Sequence, residues 1–222
     1  MYRIERKFLV DCTSKDNALR ILKLNKVLIT ESFPTRYINN IYFDTENLQC
    51  YRDNIDGIDK RFKIRIRWYG ELLKPHNAKL EIKYKKGLAG FKHSYSLPFS
   101  ISGKLPNFNE IKNAIAYSNI PSSLKVILRE FRPSLVNRYQ RNYFVTSDQC
   151  LRVTFDSDLQ YFSSNSFLRN HMKSFSLSKD YIIELKFPSE NLSNGSEFSN
   201  SLPFRMTKNS KYIQGLNLLM TR

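Results

Sequence analysis

Apolar and polar residues alternate with a period of two through several stretches of this chain, and the polar positions are mostly basic. From residue 61 to 68, Arg61, Lys63, Arg65 and Arg67 fall on one face of a strand, with Phe62, Ile64, Ile66 and Trp68 on the other. Lys79, Glu81, Lys83 and Lys85 likewise stand opposite Leu80, Ile82 and Tyr84. Arg3, Glu5 and Lys7 alternate with Ile4 and Phe8, and Arg152, Thr154 and Asp156 with Val153 and Phe155. Glu184 and Lys186 alternate with Ile183, Leu185 and Phe187. The β-branched and aromatic enrichment makes each of these a strand. Two arrangements fit: a twisted antiparallel sheet with a solvated charged face, or a closed barrel whose interior is polar. Like charges in line repel unless an anion or paired acids neutralise them, so the basic faces suit a polyanion.

The remaining elements follow from caps and breakers. Strand 2–10 leads to a helix over about 14–24, opened by Thr13 or Ser14 as N-cap. An extended segment to Phe33 turns at Pro34 into a strand over 37–43, and a short helix near 46–54 stops before Gly57. Asp44 is placed to cap that helix. Strands are expected over 60–69, 78–86, 91–99, 134–146, 150–162 and 181–187, with helices over 108–118, 122–130 and about 208–220. A polar loop precedes the last helix. Residues 163–178, with six serines, are expected to form a mobile surface excursion. The class is α+β, dominated by antiparallel strands, in one domain spanning 1–222.

Charge changes the picture from fold to function. With 36 Lys+Arg against 20 Asp+Glu the net charge is +16, spread along strands rather than gathered in a tail. That balance favours nucleic acid, nucleotides, polyphosphate or an anionic membrane as partner. Cys12, Cys50 and Cys150 are far apart and fit reduced, mostly buried thiols in a cytoplasmic protein. No signal peptide is expected, since the N-terminal residues read as a charged strand, and no apolar run approaches the roughly 20 residues of a membrane helix. No GxxxxGK[ST] phosphate loop, GxSxG elbow or RNP-type motif is present. His76, His93 and His171 lack zinc-ligand spacing.

Eight short motifs occur in order: Arg3-Ile-Glu5-Arg-Lys7-Phe, Tyr42-Phe-Asp44-Thr, Arg65-Ile-Arg67-Trp-Tyr-Gly70, Leu80-Glu81-Ile-Lys83, Asn137-Arg-Tyr139-Gln-Arg141, Arg152-Val-Thr-Phe-Asp156, Ile183-Glu184-Leu-Lys186-Phe and Ser210-Lys211-Tyr212. Over residues 2 to about 216 the chain resembles the VTC domain, the catalytic module of vacuolar transporter chaperone polyphosphate polymerases, within the triphosphate tunnel metalloenzymes (the CYTH-like superfamily). The resemblance implies an eight-stranded antiparallel β-barrel tunnel with flanking helices. In that tunnel the γ-phosphoryl group of ATP would join a growing inorganic polyphosphate chain.

Carried over motif by motif, the resemblance makes Lys7, Arg65, Arg67, Lys83, Arg141, Arg152 and Lys211 the catalytic cations. Arg65 and Arg67 would hold nucleotide phosphates. Lys92, Lys186, Lys208, Ser210 and Glu5 would complete the phosphate- and nucleotide-binding set. Glu184 would bind Mn²⁺ or Mg²⁺, with a salt bridge to a neighbouring arginine as its alternative role. Arg3 stands where the hydrolase and cyclase branches carry the first glutamate of Glu-x-Glu-x-Lys, which removes a metal ligand and favours the polymerase branch. ATP and polyphosphate are the implied partners, with no nucleic acid and no membrane segment expected. The alternatives are a triphosphatase of the same fold and a catalytically silent polyanion-binding module.

Overall fold

The computed structural model describes residues 3–11, 13–87, 89–99, 103–163, 174–176 and 180–221. In chain order the strands are β1 (Arg3–Val10), β2 (Ile29–Asp44), β3 (Lys60–Tyr69), β4 (Lys79–Lys86), β5 (Ala89–Ser96), β6 (Arg132–Thr146), β7 (Arg152–Ser163), β8 (Ser174–Ser176), β9 (Tyr181–Pro188) and β10 (Arg205–Met206). The helices are α1 (Lys15–Lys23), α2 (Gln49–Ile55), α3 (Phe108–Ala116), α4 (Ser122–Leu128), α5 (Leu192–Ser201) and α6 (Lys211–Met220). The sheet order is β10-β1-β9-β7-β6-β2-β3-β4-β5, with β8 paired to β7. The fold is therefore an antiparallel sheet with flanking helices, as the alternation requires.

The sheet has ten strands instead of the expected eight, and among the described residues its hydrogen-bonded path runs from β10 to β5 without closing. The additional strands β8 and β10 are three and two residues long, too short to show any alternation. Pro34 does not turn the chain; β2 runs through it from Ile29. In the β2–β3 register Ile38 faces Tyr69, the last residue of β3, so Pro34 lies beyond the end of β3 and owes it no N–H. The serine-rich stretch lies outside the described residues except for residue 163 and β8.

Contacts divide the chain into two compact units, one of Met1–Arg36, Tyr139–Leu159 and Ser176–Asn209, the other of Tyr37–Arg138, Gln160–Phe175 and Ser210–Arg222. In the first, the apolar faces of β1, β7 and β9 put Phe8, Val153, Phe155, Ile183, Leu185 and Phe187 into one core with Ala18 and Leu22 of α1. Ser14 accepts from the Asn17 N–H at 3.2 Å and caps α1. In the second, Ile64, Ile66 and Trp68 of β3 and Leu80 and Ile82 of β4 pack with Ile41, Phe43 and Ile111. Burying one face of each strand fixes its register and leaves most cationic positions on the other, Arg6 of β1 being an exception that lies over the Phe187 ring.

The polar stretch after β9 holds a helix that propensity hides. α5 reads Leu-Ser-Asn-Gly-Ser-Glu-Phe-Ser-Asn-Ser, mostly poor helix formers. It is held by tertiary contact: Phe198 is fully buried, and Gly195 lies flat on the Phe187 ring, where a Cβ would overlap three ring carbons. Gly195→Ala is therefore expected to destabilise the fold by about 1–3 kcal/mol, read as a lower urea midpoint, even though alanine is the better helix former.

Candidate active site

In the second unit the polar faces of β3, β4 and β5 form a grid whose rows the register sets. Lys63, Lys83 and Lys92 lie side by side across three strands, and Arg65 and Glu81 lie beside Ser94 in the next row. Arg67 stands opposite Lys79, and Arg61 opposite Lys85. Glu81 is buried and holds the middle of the grid. Its Oε2 accepts from Arg65 Nε at 2.8 Å and Nη2 at 2.6 Å, Arg67 Nη1 lies 3.8 Å away, and Lys92 Nζ pairs with Oε1. Burial alone would raise the Glu81 pKa, but Arg65, Arg67 and Lys92 overcome it and hold the carboxyl at about 2.

The same unit ties α6 to this face. Arg67 Nε donates to Asn40 Oδ1 at 2.8 Å, Asn40 Nδ2 donates to Asn137 Oδ1 at 2.7 Å, and Asn137 Nδ2 has no partner among the described residues. Arg65 Nη1 reaches the Tyr42 hydroxyl at 3.3 Å, and Tyr42 stacks on Tyr212 of α6. The Tyr212 hydroxyl donates to Asp44, which also accepts the Cys50 and Tyr51 N–H groups at the start of α2; Leu48 and not Asp44 is the N-cap residue, so Asp44 serves the helix start from the end of β2. Burial and the Asp44 charge keep Tyr212 protonated, and burial beside Asp44 pushes the Cys50 thiol up to about 12. Ser210 is the N-cap of α6 and accepts from Lys63 Nζ at 3.1 Å, so Lys211 begins the helix beside the lysine row. Gly215 lets α6 approach Tyr161 and Leu135 closely.

The first unit builds a different cluster around Glu184. Across β1, β9 and β7 the register sets Lys7 and Thr154 on either side of Glu184, and Glu5 and Arg152 on either side of Lys186. Glu184 is buried, with Lys186 Nζ at 2.8 Å from Oε1 and Arg141 Nη2 at 3.5 Å from Oε2. Arg141 is itself fixed by a forked pair with buried Asp156, Nε to Oδ1 at 2.5 Å and Nη2 to Oδ2 at 2.7 Å. Burial alone would lift the Glu184 pKa; Lys186, Lys7 and Arg141 together hold it well below the carboxylate range. Burial works against the Arg141 charge, yet Asp156, Tyr139 and Glu184 keep it firmly protonated. Glu5 pairs with Lys7 at 2.9 Å and Lys186 at 3.7 Å, not with Arg3. Exposed Lys208 lines a pocket of about 240 Å³ with Glu5, Lys7 and Thr207.

Each candidate residue thus lies on a polar face or at its margin. Glu5, Lys7, Arg141, Arg152, Glu184, Lys186 and Lys208 belong to the first unit, and Arg65, Arg67, Lys83, Lys92, Ser210 and Lys211 to the second. Lys208 precedes α6 rather than lying on it. The organising groups Glu81, Asp156, Asn40 and Asn137 were not singled out as site residues. Glu81 and Asp156 share their strands' polar faces with candidate cations, and this was the available signal. Among the described residues no three His, Cys, Asp or Glu side chains cluster as metal ligands, and no helix is long and apolar enough to cross a membrane. Cys50 and Cys150 are free thiols.

The VTC domain family profile matches residues 2–220. The chain belongs to the VTC domain family. Solved structures agree on the fold of this VTC domain. A candidate adenylate cyclase from Bacillus halodurans superposes with a TM-score of 0.55 at 18% identity, covering 96% of each chain. A candidate adenylyl cyclase from Hippeastrum, described as having a dominant triphosphatase activity, gives 0.55 at 14%, again over 96% of each chain. A candidate adenylate cyclase from Vibrio parahaemolyticus gives 0.53 at 10% over 98% of both. The VTC domain matches no curated protein sequence.

Glu81→Gln in this VTC domain should cost about 2–3 kcal/mol at pH 7 by leaving Arg65, Arg67 and Lys92 among like charges. Because the folded value of about 2 lies below the ordinary 4.5, this stabilisation is present above pH 4.5 and is lost as pH falls towards 2. Urea unfolding of both proteins at pH 7 and pH 3 should show the gap narrowing in acid.

Proposed function

We propose that this VTC domain is an ATP-dependent polyphosphate polymerase. The observation that carries the reading is the grid of β3–β5, where one carboxylate on the middle strand serves cations of both neighbouring strands. A face with many more cationic side chains than carboxylates along these strands is positive overall and suits a polyanion. Arg65 and Arg67 offer planar donors suited to two phosphate oxygens at once, and Lys83, Lys92 and Lys211 offer point charges along a phosphate chain. In the first unit, Lys7, Arg141, Arg152 and Lys186 would neutralise charge on the transferring group, with Lys208 assisting; in the second, Ser210 would assist beside Lys211. The nucleophile is a chain-terminal phosphate oxygen that is already anionic, so positioning and neutralisation suffice without a general base.

The donor set around Glu184 fits Mn²⁺ or Mg²⁺ brought in with phosphate. Glu184 and Glu5 are hard oxygen donors, and the buried Thr154 hydroxyl, across from Glu184, has no partner among the described residues. One or two carboxylates with phosphate oxygens and water satisfy either ion, whereas Lys7, Lys186 and Arg141 would repel a bare cation. When bound, the ion would add charge neutralisation at phosphoryl oxygens. Arg3 at the head of β1 supports transfer over hydrolysis, since it adds a cation where a second carboxylate would assist a two-metal site. The Hippeastrum neighbour keeps triphosphate hydrolysis as the second reading.

Purified protein with ATP and Mn²⁺ should yield ADP and polyphosphate ladders on a stained gel, and Glu184→Gln should lower both by about 100-fold. Free phosphate without chains would move the protein to the hydrolase reading. Undiminished activity in the variant would remove Glu184 from metal binding.

A further inference from the structure

The first unit also carries aromatic rings beside Arg141 that the phosphate chemistry does not use. Tyr139, Arg141 and Tyr143 share one face of β6 by alternation, and the Arg141 guanidinium lies over the Tyr139 ring at 5.3 Å. One strand step beyond Arg141, about 7 Å, Tyr143 meets Arg36 of β2. Arg36 Nε donates to the Tyr143 hydroxyl at 3.0 Å. The Arg36 guanidinium lies 5.1 Å from the Tyr143 ring and 4.3 Å from the Phe33 ring, and the two rings meet edge to face at 5.7 Å. Asn142 donates to Thr35 at 2.6 Å and holds the two strands side by side at this point.

Exposure rises along this surface. Tyr139 is 2% exposed and Phe33 49%. The end beside Arg141 and Glu184 is buried and charged, and the outer end presents the half-exposed Phe33 ring, with the Arg36 guanidinium lying against it. A phosphate chain suits the first environment and a planar heterocycle the second, because rings and guanidinium planes both stack on nucleobases whatever the base. A purely inorganic substrate would have no use for the outer end.

We infer that Phe33, Arg36 and Tyr143 form a nucleobase-stacking subsite, which orients a nucleoside triphosphate with its phosphates towards Arg141 and its base towards Phe33. This rests on the proposed phosphate site of the same unit, and it predicts tolerance among bases, since stacking and not edge recognition supplies the contact.

Binding of ATP and of inorganic tripolyphosphate to the full chain, each with Mn²⁺, separates the two ideas. Phe33→Ala, at a half-exposed position, should weaken ATP about tenfold and leave tripolyphosphate within about twofold. Phe33→Trp should keep or strengthen ATP binding, and ATP and GTP should bind the unaltered protein alike. Equal losses for both ligands in Phe33→Ala, or no loss of ATP, would overturn the subsite. So would unaltered protein that binds tripolyphosphate as tightly as ATP, a result that leaves the phosphate site standing. Failure to bind either ligand would remove the phosphate site and the subsite together.

Discussion

Cations on one sheet face repel, and the strands that carry them stay together only where a buried, ionised carboxylate stands among them. On β3, β4 and β5 four, three and one cationic side chains share the polar face with the single carboxylate of Glu81. Around Glu184 the same condition recurs with Lys7, Lys186 and Arg141, and Asp156 takes the remaining charge of Arg141. In both units desolvation opposes ionisation, and the surrounding cations win. A carboxylate so placed orders the arginines geometrically while leaving the face positive. This combination of fixed donors and surplus charge is what neutralisation of a phosphoryl group requires.

The second dependence is on the anchoring of α6. Asp44 gathers two N–H groups of α2 and the hydroxyl of Tyr212, so one buried charge joins β2 to two helices. The Tyr42–Tyr212 stack continues that anchor to Arg65. Ser210 and Lys211 are therefore held beside Lys63 by a network that touches no substrate, and the N–H groups at the helix start add to an already positive face.

The strands that build both clusters were legible because burying one face of a strand forces alternation, and alternation survives in Arg65-Ile-Arg67 and Glu184-Leu-Lys186 without any knowledge of partners. The family resemblance located the same residues and ranked them. What stayed hidden had no local signature. The Asp44–Tyr212 bond joins residues 168 apart in sequence. β10 is two residues long, and Pro34 reads as a turn unless the end of β3 is known. Lys63 bonds Ser210 while Glu81 on the neighbouring strand serves Arg65, because a long lysine crosses to a different element from the one beside it, which alternation does not encode.

α5 has a consequence for the order of assembly. A ten-residue segment made mostly of serine, asparagine and glycine nucleates no helix alone, since isolated helices of that length are marginal even in favourable sequences. Its footing is the Phe187 ring under Gly195, the pocket around Phe198, and hydrogen bonds from Arg6 of β1 to Ser196 and from Asn25 to Ser201, most of which exist only after β9 has paired with β1. α5 must accordingly dock late and open early, and its amide protons should exchange well ahead of those in the strands beneath it.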